Sequence, residues 1–301
     1  MGGNQWGKTD DRECIDAMNL AIDLGLNFID TALTYGDGHS EQLIGQVMKT
    51  RSEKVYVATK IPPKNRIWPA RKGTLLRDAY PRDHIIDCTN RSLSNLDVDC
   101  IDLQQFHVWQ DEWTNDPEWQ EAVTWLKDHG KIKSMGISMN DYEPWNGIAA
   151  ARTGKIDAFQ VIFNIFAQSP TDELFPFCEK ERIGIVARVP FDEGSLTGRI
   201  TPDTEFEKDD WRNGFFRGNR KAQVFERVEK LKGFLGVEAG TLPELALRYI
   251  LSFPTVSTVI PGMRSSAHVR ENLSAADGRV LSKAMLEELK AHQWERNFYM
   301  D

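Results

Sequence analysis

The sequence has no long apolar run, no paired cysteines and no excess of positive charge. No stretch approaches the roughly 18 uninterrupted apolar residues that a membrane-spanning helix requires. The 4 cysteines are spread singly, without a C-x-x-C pair, which argues against a zinc site or a disulfide framework. Lys plus Arg number 37 against 45 Asp plus Glu, a formal charge of −8, which disfavours binding to phosphate backbones. We expect a cytoplasmic protein with no metal, nucleic-acid partner or membrane partner.

The sequence also lacks a G-x-G-x-x-G motif after an early strand, which argues against a Rossmann domain. The chain has 301 residues, of which 41% are apolar and 10% aromatic, enough to bury a sizeable core. This length would allow two domains, but α/β barrels of this size are often single domains. We expect one domain over residues 1–301.

Short β-rich runs alternate with amphipathic helical segments along nearly the whole chain. The predicted strands are residues 26–31, 55–60, 101–107, 134–139, 158–164, 184–190 and 258–262. The predicted helices are residues 11–24, 39–49, 82–95, 117–129, 142–153, 171–182 and 241–252. Gly25 and Gly130 follow helices, and Thr241 with Glu244 has the spacing of a capping box. The alternation indicates a parallel sheet covered by helices.

Both a doubly wound sheet and a closed barrel have this order of elements. Polar residues fall at the carboxyl ends of successive strands, where barrel enzymes hold their active sites, so we favour a (β/α)8 TIM barrel. Only seven strands are visible, and residues 1–7 are too short and glycine-rich for another, so the first barrel strand is predicted to be missing or truncated. An open barrel exposes strand edges, which predicts poor solubility for this chain.

Two long segments, residues 61–80 and 191–220, interrupt the alternation. Both follow strands, so we expect substrate or cofactor loops over the barrel mouth, with ordinary surface insertions as the alternative. Four tryptophans are expected to line or border this mouth, which suits either a ring-bearing substrate or simple packing. They are Trp68, Trp109, Trp113 and Trp211.

Side-chain alternation brings several polar groups to one face of the predicted sheet. Asp30, Lys60 and His107 end their strands on the inward face, and Gln105 shares the face of His107. Tyr35 follows Asp30 by five residues, close enough to fold back over the same mouth. Each residue alone has an ordinary structural interpretation, such as a cap or a solvated strand end. Their convergence favours a site, because buried charges are costly unless they are paired.

These groups suit the transfer of a proton to a carbonyl oxygen. A neighbouring ammonium favours the phenolate, so Lys60 would make Tyr35 a better acid at neutral pH, while Asp30 would pair with Lys60. His107 could orient the carbonyl oxygen. None of these residues is a source of hydride, so a cofactor must supply it.

The sequence resembles the aldo-keto reductase family. The segments NFIDTALTYG at 27–36 and GHSEQLIG at 38–45 look like the family signature, while VATK at 57–60 and LQQFH at 103–107 resemble its lysine and histidine strands. The resemblance implies that Tyr35 is the general acid and that Asp30, Lys60 and His107 complete a catalytic tetrad. It also implies that NADP(H) binds across the barrel mouth without a Rossmann domain.

The resemblance extends to the family's cofactor contacts. It implies that Ser138, Asn140 and Gln160 hold the nicotinamide carboxamide and that Arg188 stacks where many members have an aromatic ring. Residues 194–199 look like the loop over the pyrophosphate, and residues 260–272 resemble the adenosine-phosphate site, where Arg264 at a helix N-terminus would suit a 2′-phosphate. The remaining cofactor-binding residues implied are Pro190, Gly194, Leu196, Gly198, Arg199, Gly262, Ser265, His268, Glu271 and Asn272.

We therefore predict an enzyme that reduces an aldehyde or ketone to an alcohol with NADP(H). NAD(H) is less favoured as the cofactor, although His268 stands where many relatives have a second arginine. The partner is a small-molecule carbonyl or alcohol, and neither the substrate nor the oligomeric state follows from the sequence. The alternative is a cofactor-sensing binding or regulatory subunit on the same fold, with little turnover.

Overall fold

The computed structural model describes residues 10–140 and 143–294. Seven strands form one parallel sheet in chain order. The strands are β1 (Phe28–Asp30), β2 (Tyr56–Ile61), β3 (Ile101–Phe106), β4 (Ile132–Ser138), β5 (Ala158–Ile162), β6 (Gly184–Arg188) and β7 (Val256–Val259). Each strand pairs in parallel with the next strand along the chain.

Helices connect the strands and cover the outside of the sheet. They are α1 (Asp11–Asp23), α2 (His39–Met48), α3 (Leu76–Ala79), α4 (Arg82–Leu96), α5 (Pro117–Asp128), α6 (Ile148–Ala151), α7 (Leu174–Glu181), α8 (Arg212–Phe215), α9 (Arg220–Leu231), α10 (Leu242–Leu251), α11 (Ser266–Ser274) and α12 (Lys283–Lys290). Short 3₁₀ helices lie at Asp111–Trp113, Ser169–Thr171, Asp192–Thr197 and Lys232–Phe234. Within the described ranges, no helix has the length and apolar character needed to cross a bilayer.

The sheet curls around a small apolar interior. Its members come from strands across the whole sheet: Ala58, Leu103, Ala158 and Val186 are buried, and Phe28 and Ile260 pack against them. Between residues 10 and 294, β1 and β7 are not paired with each other. The structure therefore confirms the predicted barrel, with seven of the eight strands of a complete (β/α)8 barrel.

The sequence misplaced several elements. The last strand lies at Val256–Val259 rather than 258–262. The prediction of a helix over 142–153 was wrong: among the described residues of this range, only the single turn Ile148–Ala151 is α-helical. Residues 141 and 142 lie outside the described residues. Gly147 has a φ of 107° and donates its N–H to Asp111, which holds this segment as a turn.

The helices that the sequence analysis missed include α9 and α12, besides the single turns α3 and α8. The apolar side chains of α9 follow a helical spacing at Val224, Val228 and Leu231, and all three are buried. Their signal was available in the sequence, but the long polar segment before them obscured it. The capping signals were more reliable, because Thr241 accepts from the Glu244 N–H at 3.2 Å.

A buried carboxylate attaches α2 to the strand that carries Lys60. Glu41 is 0% exposed and accepts hydrogen bonds from Thr59 on β2 at 2.6 Å and from Asn95 on α4 at 2.8 Å. Since Thr59 precedes Lys60, this network fixes the position of β2 relative to α2. It also fixes the start of α2, and therefore the loop that carries Tyr35 from β1 to α2.

The close approach of α2 to α4 predicts an intolerance at Gly45. A Cβ there would lie 2.6 Å from the backbone oxygen of Leu96. We expect Gly45→Ala to lower the free energy of unfolding by about 1–3 kcal/mol, despite the better helix propensity of alanine. Denaturant unfolding measures this. Gly233→Ala is the matched control, since a Cβ there meets nothing within 4 Å, and it should stay within about 0.5 kcal/mol of the parent. Equal stability of the two variants would contradict the packing argument.

Candidate active site

A cleft opens at the carboxyl ends of the strands. Its walls come from the loops after β1 and β2 and from the ends of β3 to β6. The residues that line it are Tyr35, Trp68, Pro69, His107, Val108, Ser138, Met139, Asn140, Gln160 and Arg188. Six of the predicted site residues therefore meet at one opening, although they are spread over more than 150 positions of the chain.

A buried ion pair lies at the base of this cleft. Lys60 is 1% exposed, and its Nζ donates to Asp30 Oδ2 at 2.5 Å and to the Thr31 carbonyl oxygen at 2.7 Å. The other carboxylate oxygen, Oδ1, accepts from Gln160 at 2.7 Å and from Gln105 at 3.3 Å. A buried ammonium needs such partners, because removing it from water costs several kcal/mol.

Tyr35 is held against this ion pair by the turn between β1 and α2. The Nζ of Lys60 lies 5.4 Å from the centroid of the Tyr35 ring. Three consecutive residues after Tyr35 have left-handed backbone, namely Gly36, Asp37 and Gly38. At Gly38 a Cβ would lie 2.4 Å from the Asn95 side chain, although that neighbour is the end of a side chain. This tight turn places the phenol at the cleft rather than over the outer surface.

His107 lies between Tyr35 and Trp68. Its ring meets Tyr35 edge-on at 6.1 Å between centroids and Trp68 at 5.8 Å. Burial, followed by the positive charges of Lys60 and Arg188, lowers the pKa of His107 well below its ordinary value. The imidazole is therefore neutral at neutral pH, and its Nδ1 is buried with no hydrogen-bond partner among the described residues.

The opposite wall carries amide and hydroxyl groups. Ser138, Asn140 and Gln160 all line the cleft, and Arg188 donates to the Met139 carbonyl oxygen at 3.2 Å. Asn140 donates to the carbonyl oxygen of Trp109 at 2.9 Å, while its own Oδ1 is buried without a partner in the described part of the chain. A carboxamide both donates and accepts hydrogen bonds, so this set of groups fits the amide of a nicotinamide ring.

The predicted pyrophosphate loop follows β6. Gly194 and Gly198 have positive φ angles of 103° and 75°, and a Cβ at Gly198 would lie 2.7 Å from the Leu242 side chain. Arg199 forms an ion pair at 4.0 Å with Glu271 on α11, so the loop contacts the predicted adenosine site. Two further predicted contacts, Pro190 and Leu196, are buried.

The predicted adenosine-phosphate site lies at the start of α11. Ser265 is the N-cap, and its side chain accepts from the His268 N–H at 3.4 Å. Asn272 donates to the Gly262 carbonyl oxygen at 3.4 Å, which folds the segment back onto the helix. Arg264 immediately precedes the cap. A helix N-terminus beside a guanidinium fits a phosphate group.

The tryptophan prediction was largely wrong. Trp109 and Trp113 are 0% and 2% exposed and belong to an aromatic cluster behind β3. The other members of this cluster are Tyr80, Phe106 and Trp119. Trp211 packs against Phe215 at 5.6 Å, and only Trp68 lines the cleft. Each of these tryptophans follows a strand in the sequence, and this position alone did not tell which indole rings lie in the core and which line the cleft.

Comparison with known proteins agrees with this geometry. A sequence model of the aldo/keto reductase family matches residues 1–293 of this chain. The chain belongs to this family. It is similar to an aldo-keto reductase of Bacillus subtilis, at 30% identity over 94% of this chain and 84% of the relative. It is also 30% identical to an NADH-specific methylglyoxal reductase of Escherichia coli, over 91% of this chain and 86% of that one.

The chain is also similar to two proteins with other names. A probable voltage-gated potassium channel subunit beta of Arabidopsis thaliana is 29% identical over 91% of this chain and 84% of its own. The solved structure of a glycerol dehydrogenase from Gluconobacter oxydans superposes with a TM-score of 0.80 at 27% identity, covering 97% of this chain and 88% of that one. This aldo-keto reductase is accordingly an oxidoreductase that acts on carbonyl or alcohol groups.

Gln105 is the residue whose role the sequence left unassigned. Alternation placed it on the face of His107, and the structure brings its side chain to Asp30. The available signal was a polar residue at an inward position of a buried strand. Glu41 belongs to the GHSEQLIG motif in the sequence, and only the fold shows its contacts to β2 and α4.

The lowered pKa of His107 predicts a pH-dependent stability. The unfolded chain binds a proton to this residue below about pH 6.5, while the folded protein does not, so stability rises with pH up to that point and is flat above it. We expect His107→Gln to reduce the slope of unfolding free energy against pH, between about pH 5 and 6.5, by up to about 1.4 kcal/mol per pH unit. Urea unfolding across pH measures the slope. The two slopes should coincide above about pH 7.5, and identical slopes in the acid range would refute the shift.

Proposed function

We propose that this chain reduces an aldehyde or ketone with NADP(H) and that Tyr35 donates the proton. The observation that carries the proposal is the position of the Tyr35 ring, 5.4 Å from the buried Lys60 ammonium and edge-on to His107 at the cleft. A phenol beside a fixed positive charge is a group that can give up a proton and keep the resulting negative charge.

Each polar residue then has one task in the proton transfer. Tyr35 donates its phenolic proton to the oxygen of the substrate, and the Lys60 ammonium stabilises the phenolate that remains. Asp30 keeps Lys60 in place through the bond at 2.5 Å. In the oxidation direction Tyr35 takes the proton back from the alcohol, so the same residues serve both directions.

His107 acts as a hydrogen-bonding group for the carbonyl oxygen and not as the acid. Its lowered pKa keeps the imidazole neutral, so at neutral pH it has no extra proton to give. A neutral imidazole still carries one N–H donor, which suits an oxygen that becomes negative as the carbonyl is reduced.

The polar groups in the cleft and at the start of α11 indicate which residues would bind the cofactor. NADP(H), when bound, supplies the hydride at its nicotinamide ring. Ser138, Asn140 and Gln160 would hold the carboxamide, and Arg188 would lie against the ring. Arg264 at the N-terminus of α11 would favour the 2′-phosphate of NADP(H). The Escherichia coli relative is named as NADH-specific, so NAD(H) is the second candidate cofactor.

A regulatory subunit is the competing function, because two relatives are named as probable voltage-gated potassium channel subunits beta. A binding subunit does not require an acid, an ammonium and a carboxylate in contact. Rapid multiple turnover with a panel of aldehydes, ketones and sugars would favour the enzyme, and a single slow turnover would favour the subunit.

The cytoplasmic location remains a prediction.

Tyr35→Phe tests the proton donor. We expect kcat for carbonyl reduction to fall by about 10²- to 10⁴-fold, because the phenolic proton is lost while the ring remains. The affinity for NADPH, measured by protein fluorescence, should stay within about twofold. Tyr56→Phe is the matched control, since the Lys54 Nζ lies 4.8 Å from its ring at the opposite end of β2. Retained activity in Tyr35→Phe would remove this residue from the mechanism.

Arg264→Gln tests cofactor choice. We expect the dissociation constant for NADPH to rise about tenfold, the loss of roughly one charge-assisted contact, while that for NADH changes by less than about twofold. Fluorescence titration with both nucleotides measures the ratio. Arg182→Gln removes the same charge from an exposed position before the start of β6, away from the predicted cofactor segments, and serves as the control. Equal effects on the two nucleotides would argue against a 2′-phosphate contact.

A further inference from the structure

Gln105 is a buried polar side chain near the carboxyl end of β3. It is 0% exposed and lies on β3, directly paired with Lys60 on β2 and with Gly136 on β4. It is not among the residues that line the cleft. A polar residue at this depth needs a physical reason, because an apolar side chain of the same size would pack there without a desolvation cost.

The hydrogen bonding of Gln105 indicates that reason. Its Nε2 donates to Asp30 Oδ1 at 3.3 Å, and its Oε1 is buried with no hydrogen-bond partner in the described residues. The reversed amide would bring an oxygen against the carboxylate oxygen, so the charge of Asp30 sets the orientation. Gln105 therefore leaves its own acceptor unpaired and retains one contact, to Asp30.

The barrel also makes room for this side chain. A Cβ at Gly136 would lie 3.2 Å from Gln105 Cγ and 2.9 Å from the Ala158 carbonyl oxygen. The neighbouring strand thus carries no side chain where Gln105 passes. The space beside Gly136 and the unpaired Oε1 of Gln105 are both consistent with a side chain whose role is its hydrogen bond to Asp30.

We propose that Gln105 is a positioning residue for the proton transfer, acting through Asp30. With Gln160 it occupies Oδ1, so the carboxylate plane is fixed from two sides and Oδ2 faces Lys60. A carboxylate held by fewer donors is freer to rotate about its last side-chain bond and to draw the Lys60 ammonium away from the Tyr35 ring. Because Gln160 also lines the cleft, Gln105 is the donor that acts on Asp30 alone. The inference rests on the proposed function of this site.

The adjacent residue provides a matched control. Gln104 is also 0% exposed, its Nε2 donates to Thr89 at 3.3 Å, and its Oε1 likewise has no partner in the described residues. Its side chain points away from the barrel interior, toward α4. Gln104→Met and Gln105→Met therefore remove the same chemistry from opposite faces of one strand, so their effects on stability should be similar.

The experiment compares the two variants in the full-length enzyme, with NADPH and the best carbonyl substrate of the parent. For Gln105→Met we expect kcat to fall about tenfold, as for the loss of one hydrogen bond to a charged group. The NADPH dissociation constant should stay within about twofold, and the primary isotope effect with nicotinamide-deuterated NADPH should rise because the chemical step becomes slower. Gln104→Met should leave kcat and the isotope effect unchanged. A merely structural role would change melting temperature but not the isotope effect.

A double variant tests the route through Asp30. In an Asp30→Asn background, adding Gln105→Met should change the residual kcat by less than about twofold. Equal kcat for parent and Gln105→Met, or a full tenfold loss in the Asp30→Asn background, would overturn the proposal while leaving the proposed function intact. A parent that turns over no carbonyl or alcohol would overturn both. If Gln105→Met does not fold, Gln105→Asn makes the same comparison, since its shorter amide falls short of Asp30.

Discussion

The ion pair between Lys60 and Asp30 is the interaction on which the rest of the site depends. A lysine side chain that is 1% exposed needs partners that replace its contacts with water, and the hydrogen-bonding groups around this ion pair come from several parts of the barrel. Asp30 belongs to β1, and its carboxylate accepts from Lys60 on β2, Gln105 on β3 and Gln160 on β5, so three other strands supply its hydrogen-bond donors. Removing one member of a buried pair typically costs about 3–5 kcal/mol, so barrel stability and site geometry are linked.

The same ion pair sets the electrostatics of the cleft. Lys60 and Arg188 both carry positive charge toward His107, and together with burial they keep its pKa low. The local arrangement is therefore a paired ammonium, a guanidinium and a neutral imidazole around one phenol. Such a field favours negative charge on an oxygen, as the proposed proton transfer from Tyr35 requires.

Helix packing positions the proposed phosphate end of the site. The first and last parts of the described barrel are joined by α1 and α11, where Ala17, Ala21 and Val269 form a buried cluster. Small residues let the two helices approach closely on the side where β1 and β7 are not paired with each other in the described residues. The N-terminus of α11, with Arg264 before it, thus has a fixed place relative to the strands that carry the cleft.

The sequence predicted the order of strands and helices and the inward face of β1 to β3, because both depend on local periodicity. It also predicted the family, because the family motifs are contiguous in the chain. Seven strands lie near their predicted positions. Asp30, Lys60 and His107 come together as alternation predicted, and the loop after β1 brings Tyr35 back to them. Only the tertiary structure separated Trp68 in the cleft from Trp109 and Trp113 in the core, because burial depends on which elements pack behind a strand. Only the tertiary structure also showed that Gln105 and Gln160 donate to the same oxygen of Asp30. These three residues lie on separate strands and become neighbours only because the sheet curls around its interior.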